Sequence, residues 1–189
     1  MLELLTVITI IGVLAALLFP AIKTAMVRAE VAKAQQGVNS LATAFKAYYN
    51  EYGKWPIADS MANNIYIVDT NMVMLLRGVN ITTPPFSAPS GIGTATYQGN
   101  SRQTPFLEFK QTDIINTGTF AGSYVDPWGN PYYCSFDVTY VNQVQDPFLL
   151  PATSYLNAGF LIWSAGPDGQ WNQSGDLGTG ANKDNVKSW

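Results

Sequence analysis

The chain reads as an α+β protein. One long amino-terminal α-helix, its apolar half protruding, packs on a small antiparallel β-sheet with long loops. Three observations predict this. Apolar residues run almost unbroken from Leu4 to Phe19. Val31, Val38, Leu41, Phe45, Tyr48 and Tyr52 then recur at helical spacing, which puts them on one helix face. Beyond Pro56, short stretches rich in Tyr, Phe and Val are separated by stretches rich in Gly, Pro, Ser and Asn, the punctuation of strands and turns.

The first element is apolar all round, so it must be buried in lipid or in protein. Its uninterrupted part, Leu4 to Phe19, holds about 16 residues, against roughly 20 needed to span a hydrocarbon core. It is short for a span and long for a core helix. A cleaved signal peptide is disfavoured: no basic region precedes the run and no small-residue cleavage site follows it. Instead the alanine-rich pattern from Ala21 continues as helix. Gly53 and Pro56 supply the stop. Three segments follow: a hydrophobic anchor over 1–20, an amphipathic helix over 21–55 and a globular β-domain over 56–189.

Within the third segment, Ile65–Val68 reads as a short strand and Asn71–Arg77 as one or two helical turns. Thr82–Thr104 reads as loop, Phe106–Phe109 as the start of a strand, and Pro131–Val141 and Ala158–Ser164 as strands. Asp126-Pro127-Trp128-Gly129-Asn130-Pro131 is a turn cluster, because each of Asp, Pro, Gly and Asn suits turn geometry. From Gly166 onward almost nothing is apolar, and a loop is expected. Asn80 and Asn172 begin N-x-S/T sequons, a weak signal.

Composition narrows function. At 189 residues there is room for one domain plus an anchor. Only 12% of residues are charged, and polar uncharged residues replace them, a balance suited to an extracellular surface that packs against copies of itself. The net charge of −3 offers no basic footprint for nucleic acid. The single cysteine, Cys134, forbids an intrachain disulfide. The absence of histidine removes the commonest general base and transition-metal ligand. With no nucleophile motif and no convergent carboxylate pair, an enzyme is not expected.

Glu3 is the only charge before Lys23. A carboxylate at the head of an apolar run is costly unless it is paired and hydrogen-bonded. No cation lies near it in sequence, so its partner is expected from a neighbouring subunit's amino terminus. Gly12 and Pro20 both weaken a helix, Pro by removing a backbone donor. Helicity is therefore expected to be lost between them in a polymer. Lys23, Arg28 and Lys33 follow the apolar run and nothing basic precedes it. Read literally, that would leave the rest of the chain in the cytoplasm; a removed basic leader is expected instead.

Residues 2–20, LELLTVITIIGVLAALLFP, resemble the type IV pilin superfamily. Glu3, Gly12 and Pro20 keep that family's glutamate–glycine and glutamate–proline intervals. The match narrows to the major pseudopilins of type II secretion. Asn50-Glu51-Tyr52-Gly53-Lys54-Trp55-Pro56 looks like their helix end, and Asp126-Pro127-Trp128-Gly129-Asn130-Pro131-Tyr132 like their signature turn. Ser164-Ala165-Gly166-Pro167-Asp168-Gly169, with Asp184-Asn185-Val186 and Trp189, looks like their calcium loop. Regions 57–120 and 139–157 have no such counterpart. Fewer residues precede Glu3 than is usual in the family. Asp184 and Asn185 come later after Asp168 than the family's adjacent aspartates do; Asp176 is nearer the usual place but is followed by Leu177.

The resemblance implies a structural subunit of an extracellular helical filament, a pilin or major pseudopilin. Its partners would be copies of itself, an inner-membrane assembly platform and a prepilin peptidase. It would sit in the inner membrane before assembly and then in a periplasmic or extracellular filament on the cell surface. Glu3, Gly12 and Pro20 would serve assembly. Calcium is the implied cofactor, with Asp168, Asp184, Asn185 and Asp176 as candidate ligands; oxygen ligands without histidine or thiolate select a hard cation. The alternative is a non-polymerising or minor tip pilin acting as a membrane-anchored surface-binding module.

Overall fold

The computed structural model describes residues 2–58, 65–82, 95–149, 154–172 and 180–189. Side chains 2, 5, 17, 20 and 21 of the first helix are outside that description. The architecture is α+β, as expected: one long amino-terminal helix against a small antiparallel sheet.

Helix α1 runs Leu2–Tyr52 without a break at Gly12 or Pro20. It ends where Gly53 adopts φ +67° and donates its N–H to the Tyr49 carbonyl at 2.7 Å, a left-handed stop that glycine makes without a steric penalty. Its second half buries one face through Ala34, Val38, Leu41, Ala44, Phe45 and Tyr48. Val31, expected on that face, is 39% exposed. The packed stretch begins one turn later, at Ala34, where Tyr132 meets the helix.

The main sheet is wholly antiparallel, in the order β1-β2-β5-β6. These strands are β1 (Tyr66–Ile67), β2 (Tyr133–Phe136), β5 (Phe160–Ser164) and β6 (Val186–Lys187). Between them lie helix α2 (Thr70–Leu76) and a separate hairpin of β3 (Val144–Gln145) with β4 (Tyr155–Leu156). Register in the centre pairs Tyr133 with Trp163, Cys134 with Ile162 and Phe136 with Phe160. Because side chains alternate across a strand, Cys134, Phe136, Ile162 and Val186 join the core shared with α1. Phe45 meets Phe136 edge to face, with ring centroids 4.9 Å apart. Tyr133 and Trp163 point the other way, into a second aromatic cluster with Phe148, Trp171 and Trp189. Both faces of β5 are therefore covered, which explains why Phe160–Trp163 reads as a continuous apolar run rather than an alternation.

Sequence expectations hold for β1, α2, β2 and β5, with strands shorter than expected. Two fail. Phe106–Phe109 forms no strand: the Phe106 and Leu107 N–H groups both donate to the Leu76 carbonyl, capping the end of α2. The tail is not all loop, because β6 adds an edge to the sheet beside β5. Its two-residue length and polar setting hide it from any periodicity argument. Part of the Thr82–Thr104 loop lies outside the described residues.

The buried polar groups are turn builders. The Asp69 carboxylate caps α2, accepting from the Met72 N–H at 2.9 Å and the Tyr97 hydroxyl at 2.8 Å. Burial, then the neighbouring Asp69 charge, pushes both the Tyr97 hydroxyl and the Cys134 thiol well above their ordinary values. Cys134 is accordingly a buried neutral packing residue.

Candidate functional site

Two regions carry the sequence-predicted residues, and they differ in kind. The first is the exposed part of α1. Glu3 is exposed, and its backbone carbonyl accepts a hydrogen bond from the Thr6 hydroxyl at 2.9 Å. Leu4 is 72% exposed, Ile8 59%, Leu14 58%, Phe19 66% and Met26 60%. A Cβ added at Gly12 would meet nothing within 4 Å. Among the described residues, no helix is long and apolar enough to cross a membrane.

The second region is the oxygen-rich loop after β5, which the structure ties to the turn at Asp126–Pro131. The Asp126 carboxylate accepts from the Trp128 N–H at 3.0 Å, the Asn130 N–H at 2.9 Å and the Ser164 hydroxyl at 2.6 Å. Burial raises the Asp126 carboxyl above its ordinary value, and these same hydrogen bonds pull it back. Ser164 in turn accepts from the Gly166 N–H at 3.0 Å, and Asn130 Nδ2 donates to the Gly166 carbonyl at 2.9 Å. Trp128 Nε1 donates to Glu30 at 3.0 Å, fastening the same turn to α1. The two motifs are thus one hydrogen-bonded unit.

Gly166, at φ +70°, brings the loop against Asp184: a Cβ there would lie 2.5 Å from the Asp184 carbonyl oxygen and 3.2 Å from its Cγ. Asp184 Oδ1 is buried and has no hydrogen-bond partner among the described residues. Such an orphaned carboxylate oxygen is costly unless something positive meets it. Asp168 is exposed, and its carboxylate accepts from the Gln170 N–H at 2.9 Å, shaping the turn. Asp176 lies outside the described residues.

Asn185 sharpens the chemistry. Its neighbour Asn182 has a fixed amide: Oδ1 accepts from the Asn172 N–H at 3.0 Å, and Nδ2 donates to the Asn172 carbonyl at 2.8 Å. With Asn185 Nδ2 turned to Asn182 Oδ1 at 3.2 Å, Asn185 Oδ1 faces the Ala165 and Gln170 carbonyl oxygens at 3.0 and 3.2 Å. With the amide reversed, Nδ2 donates to both carbonyls, but Oδ1 then faces Asn182 Oδ1 at 3.2 Å. Either orientation leaves oxygen against oxygen. A cation among Asn185 Oδ1 and the two carbonyls would remove the conflict, and an all-oxygen set suits calcium.

Among the described residues, no group of three or more His, Cys, Asp or Glu side chains could hold a metal ion. Among the described residues, the oxygens that gather beside Asp184 and Asn185 include the Ala165 and Gln170 carbonyls. The Ala165 and Gln170 carbonyls are invisible to sequence because backbone oxygens carry no residue signature, and nothing in its spacing sets Asn182 apart. Set against known proteins, the chain matches no family model, no curated protein and no solved structure.

Proposed function

We propose that the chain is a structural subunit of an extracellular helical filament, of the pilin or major pseudopilin kind. It would assemble from the inner membrane through the amino-terminal part of α1. The observation that supports this best is the run of exposed apolar side chains from Leu4 to Val27 on an unbroken helix. A contiguous apolar surface of that extent marks an interaction site. Identical helices packed side by side would cover it. The same segment would lie in the inner membrane before assembly, and a prepilin peptidase and an assembly platform would process and deliver it. In the packed state, Glu3 would pair with the amino group of the adjacent subunit, because a carboxylate among apolar helices needs a partner. Neighbouring helices would also tolerate an unwound stretch between Gly12 and Pro20.

The carboxy-terminal loop would hold calcium through Asp184, Asn185 and the Ala165 and Gln170 carbonyls, with Asp168 shaping the turn. The ion would supply charge that neutralises the orphaned Asp184 oxygen and would lock β6 to β5. It would do no chemistry on a substrate, and no catalytic role is proposed for any residue. Electron microscopy of material sheared from the cell surface tests the reading. Ordered filaments built from this chain are the expected result. Finding only dispersed chains in the inner-membrane fraction, even on overproduction, overturns the filament reading in favour of a membrane-anchored binding module.

A further inference from the structure

We propose that the groove beside the carboxy-terminal end of α1 is a saccharide-binding site, an inference that does not depend on the filament reading. The groove encloses about 320 Å³, within the roughly 300–1,000 Å³ of small-molecule clefts. Tyr49 lies on its floor, its ring packed against that of the buried Trp55, 4.4 Å away at 32°. Tyr140, half exposed, extends this floor, with its ring 6.4 Å from that of Tyr49. Lys46 and Asn142 stand at the rim. The floor depends on Gly159, where a Cβ would lie 2.5 Å from the Trp55 ring.

The loop carrying Tyr140 is held in a conformation that its sequence disfavours. Tyr140 has φ 59° and Asn142 φ 58°. Asparagine tolerates the left-handed region, but a bulky aromatic there is an outlier. Such strain persists only where the surroundings enforce it, and it clusters at ligand sites. The enforcing group is the buried Asp137 carboxylate. It accepts from the Thr139 N–H at 3.2 Å, the Thr139 hydroxyl at 2.8 Å and the Asn142 N–H at 2.5 Å. The Tyr140 hydroxyl oxygen accepts from the Trp55 N–H at 3.3 Å, which leaves its own proton free to donate.

The ligand class follows from this lining. The exposed Tyr140 ring beside Tyr49, edged by hydroxyl, amide and ammonium groups, matches a ring with an apolar C–H face and a polar rim. That is a pyranose. The Asp137 carboxylate lines the groove but is buried and hydrogen-bonded to its own loop, and no other carboxylate among the described residues lines it. Lys46 has no ion-pair partner among the described residues and favours a neutral or acidic sugar. Lys46 lies roughly 65 Å along α1 from Glu3 at 1.5 Å per residue, so contacts made through the apolar segment leave the groove open.

Saturation-transfer NMR on the full chain tests this, in a zwitterionic detergent without sugar groups. The probes are cellobiose, N,N′-diacetylchitobiose, lactose and digalacturonate. Transfer to the C–H face of at least one probe is expected. Tyr140→Ala should weaken it about tenfold, the loss of one aromatic platform, while Tyr140→Phe largely keeps it. Lys46→Ala, on an exposed helix position, should weaken digalacturonate more than cellobiose without touching the loop. No transfer to any probe overturns the proposal. So does equal transfer in wild type, Tyr140→Ala and Lys46→Ala. Concentration-dependent line broadening at Tyr140 without any sugar signal also overturns it and reassigns the groove to contact between copies.

Discussion

The two halves of α1 share one backbone conformation and differ in everything that surrounds it. From Ala34 to Tyr48 the helix buries Ala34, Val38, Leu41, Phe45 and Tyr48 completely. From Leu4 to Met26 its described large apolar side chains are 46–72% exposed. The covered half finds all its partners within the chain: Phe136 and Phe160 against Phe45, Phe106 against Tyr48, and the Tyr132 hydroxyl on the Ala34 carbonyl at 3.2 Å. The bare half has no such cover among the described residues. Helicity is thus a local property, whereas burial depends on what the rest of the fold can reach. Most helical stability comes from packing a face, so the bare half should need an external partner and the covered half should not.

That contrast can be broken from either end. The largest expected effect is on assembly: Glu3→Leu should abolish or disorder filaments seen by electron microscopy while leaving the melting temperature of the head unchanged. Normal filaments from that variant would remove the pairing role. On the covered half, Phe45→Ala should cost about 3–5 kcal/mol by chemical denaturation, because the ring is fully buried between two sheet aromatics. A cost under about 1 kcal/mol would mean that the helix–sheet seam is not the core.

Asp126→Ala strips an acceptor from Trp128, Asn130 and Ser164 at once, and about 2–3 kcal/mol should be lost. The pH dependence has a definite sign. Burial raises the Asp126 carboxyl in the folded state, so the folded chain holds that proton more tightly than the unfolded one. Its contribution to stability is full below the ordinary carboxylate value and is lost as pH rises through the folded value. Asp126→Asn should flatten that part of a melting-temperature profile against pH, and an unchanged slope would show that another group dominates.

Adding calcium should raise the melting temperature of the head, by about 2.7 kcal/mol of stability at a hundredfold excess over Kd. Chelator should reverse the gain, and an indifferent melting curve would mean that the loop is held by hydrogen bonds alone. The smallest effect is at Gly12. A Cβ there meets nothing, so Gly12→Ala should strengthen the isolated helix by at most about 1 kcal/mol. If Gly12–Pro20 must unwind in the polymer, the same change should slow assembly; unaltered assembly would favour a helix kept whole.

How much was legible varies with the range of the interaction. The course of α1, its stop at Gly53, and strands β1, β2 and β5 follow from period, composition and turn residues. Val31 shares the packed face by spacing yet is exposed, because periodicity marks a face and not where the sheet begins to cover it. Phe106–Phe109 has strand-like residues, yet its backbone caps α2, a partner some thirty residues away. At the carboxy-terminal loop the sequence points to Asp168, Asp184, Asn185 and Asp176, the last of which lies outside the described residues. Only the fold shows that Asp184 packs against Gly166 and that Asn185 reaches the Ala165 and Gln170 carbonyls.

By itself, then, the sequence determined what is local: a long amino-terminal helix, a lone carboxylate at its head, turns where Gly, Pro, Asp and Asn permit them. Tertiary structure alone decided which half of that helix is covered. It also decided that the Asp126 turn and the Ser164 loop form one unit, and that Tyr140 is held at a positive φ beside Tyr49. The physical reason is that torsional preference is written in each residue. Burial and hydrogen-bond partnership are written only in pairs that the chain brings together from far apart.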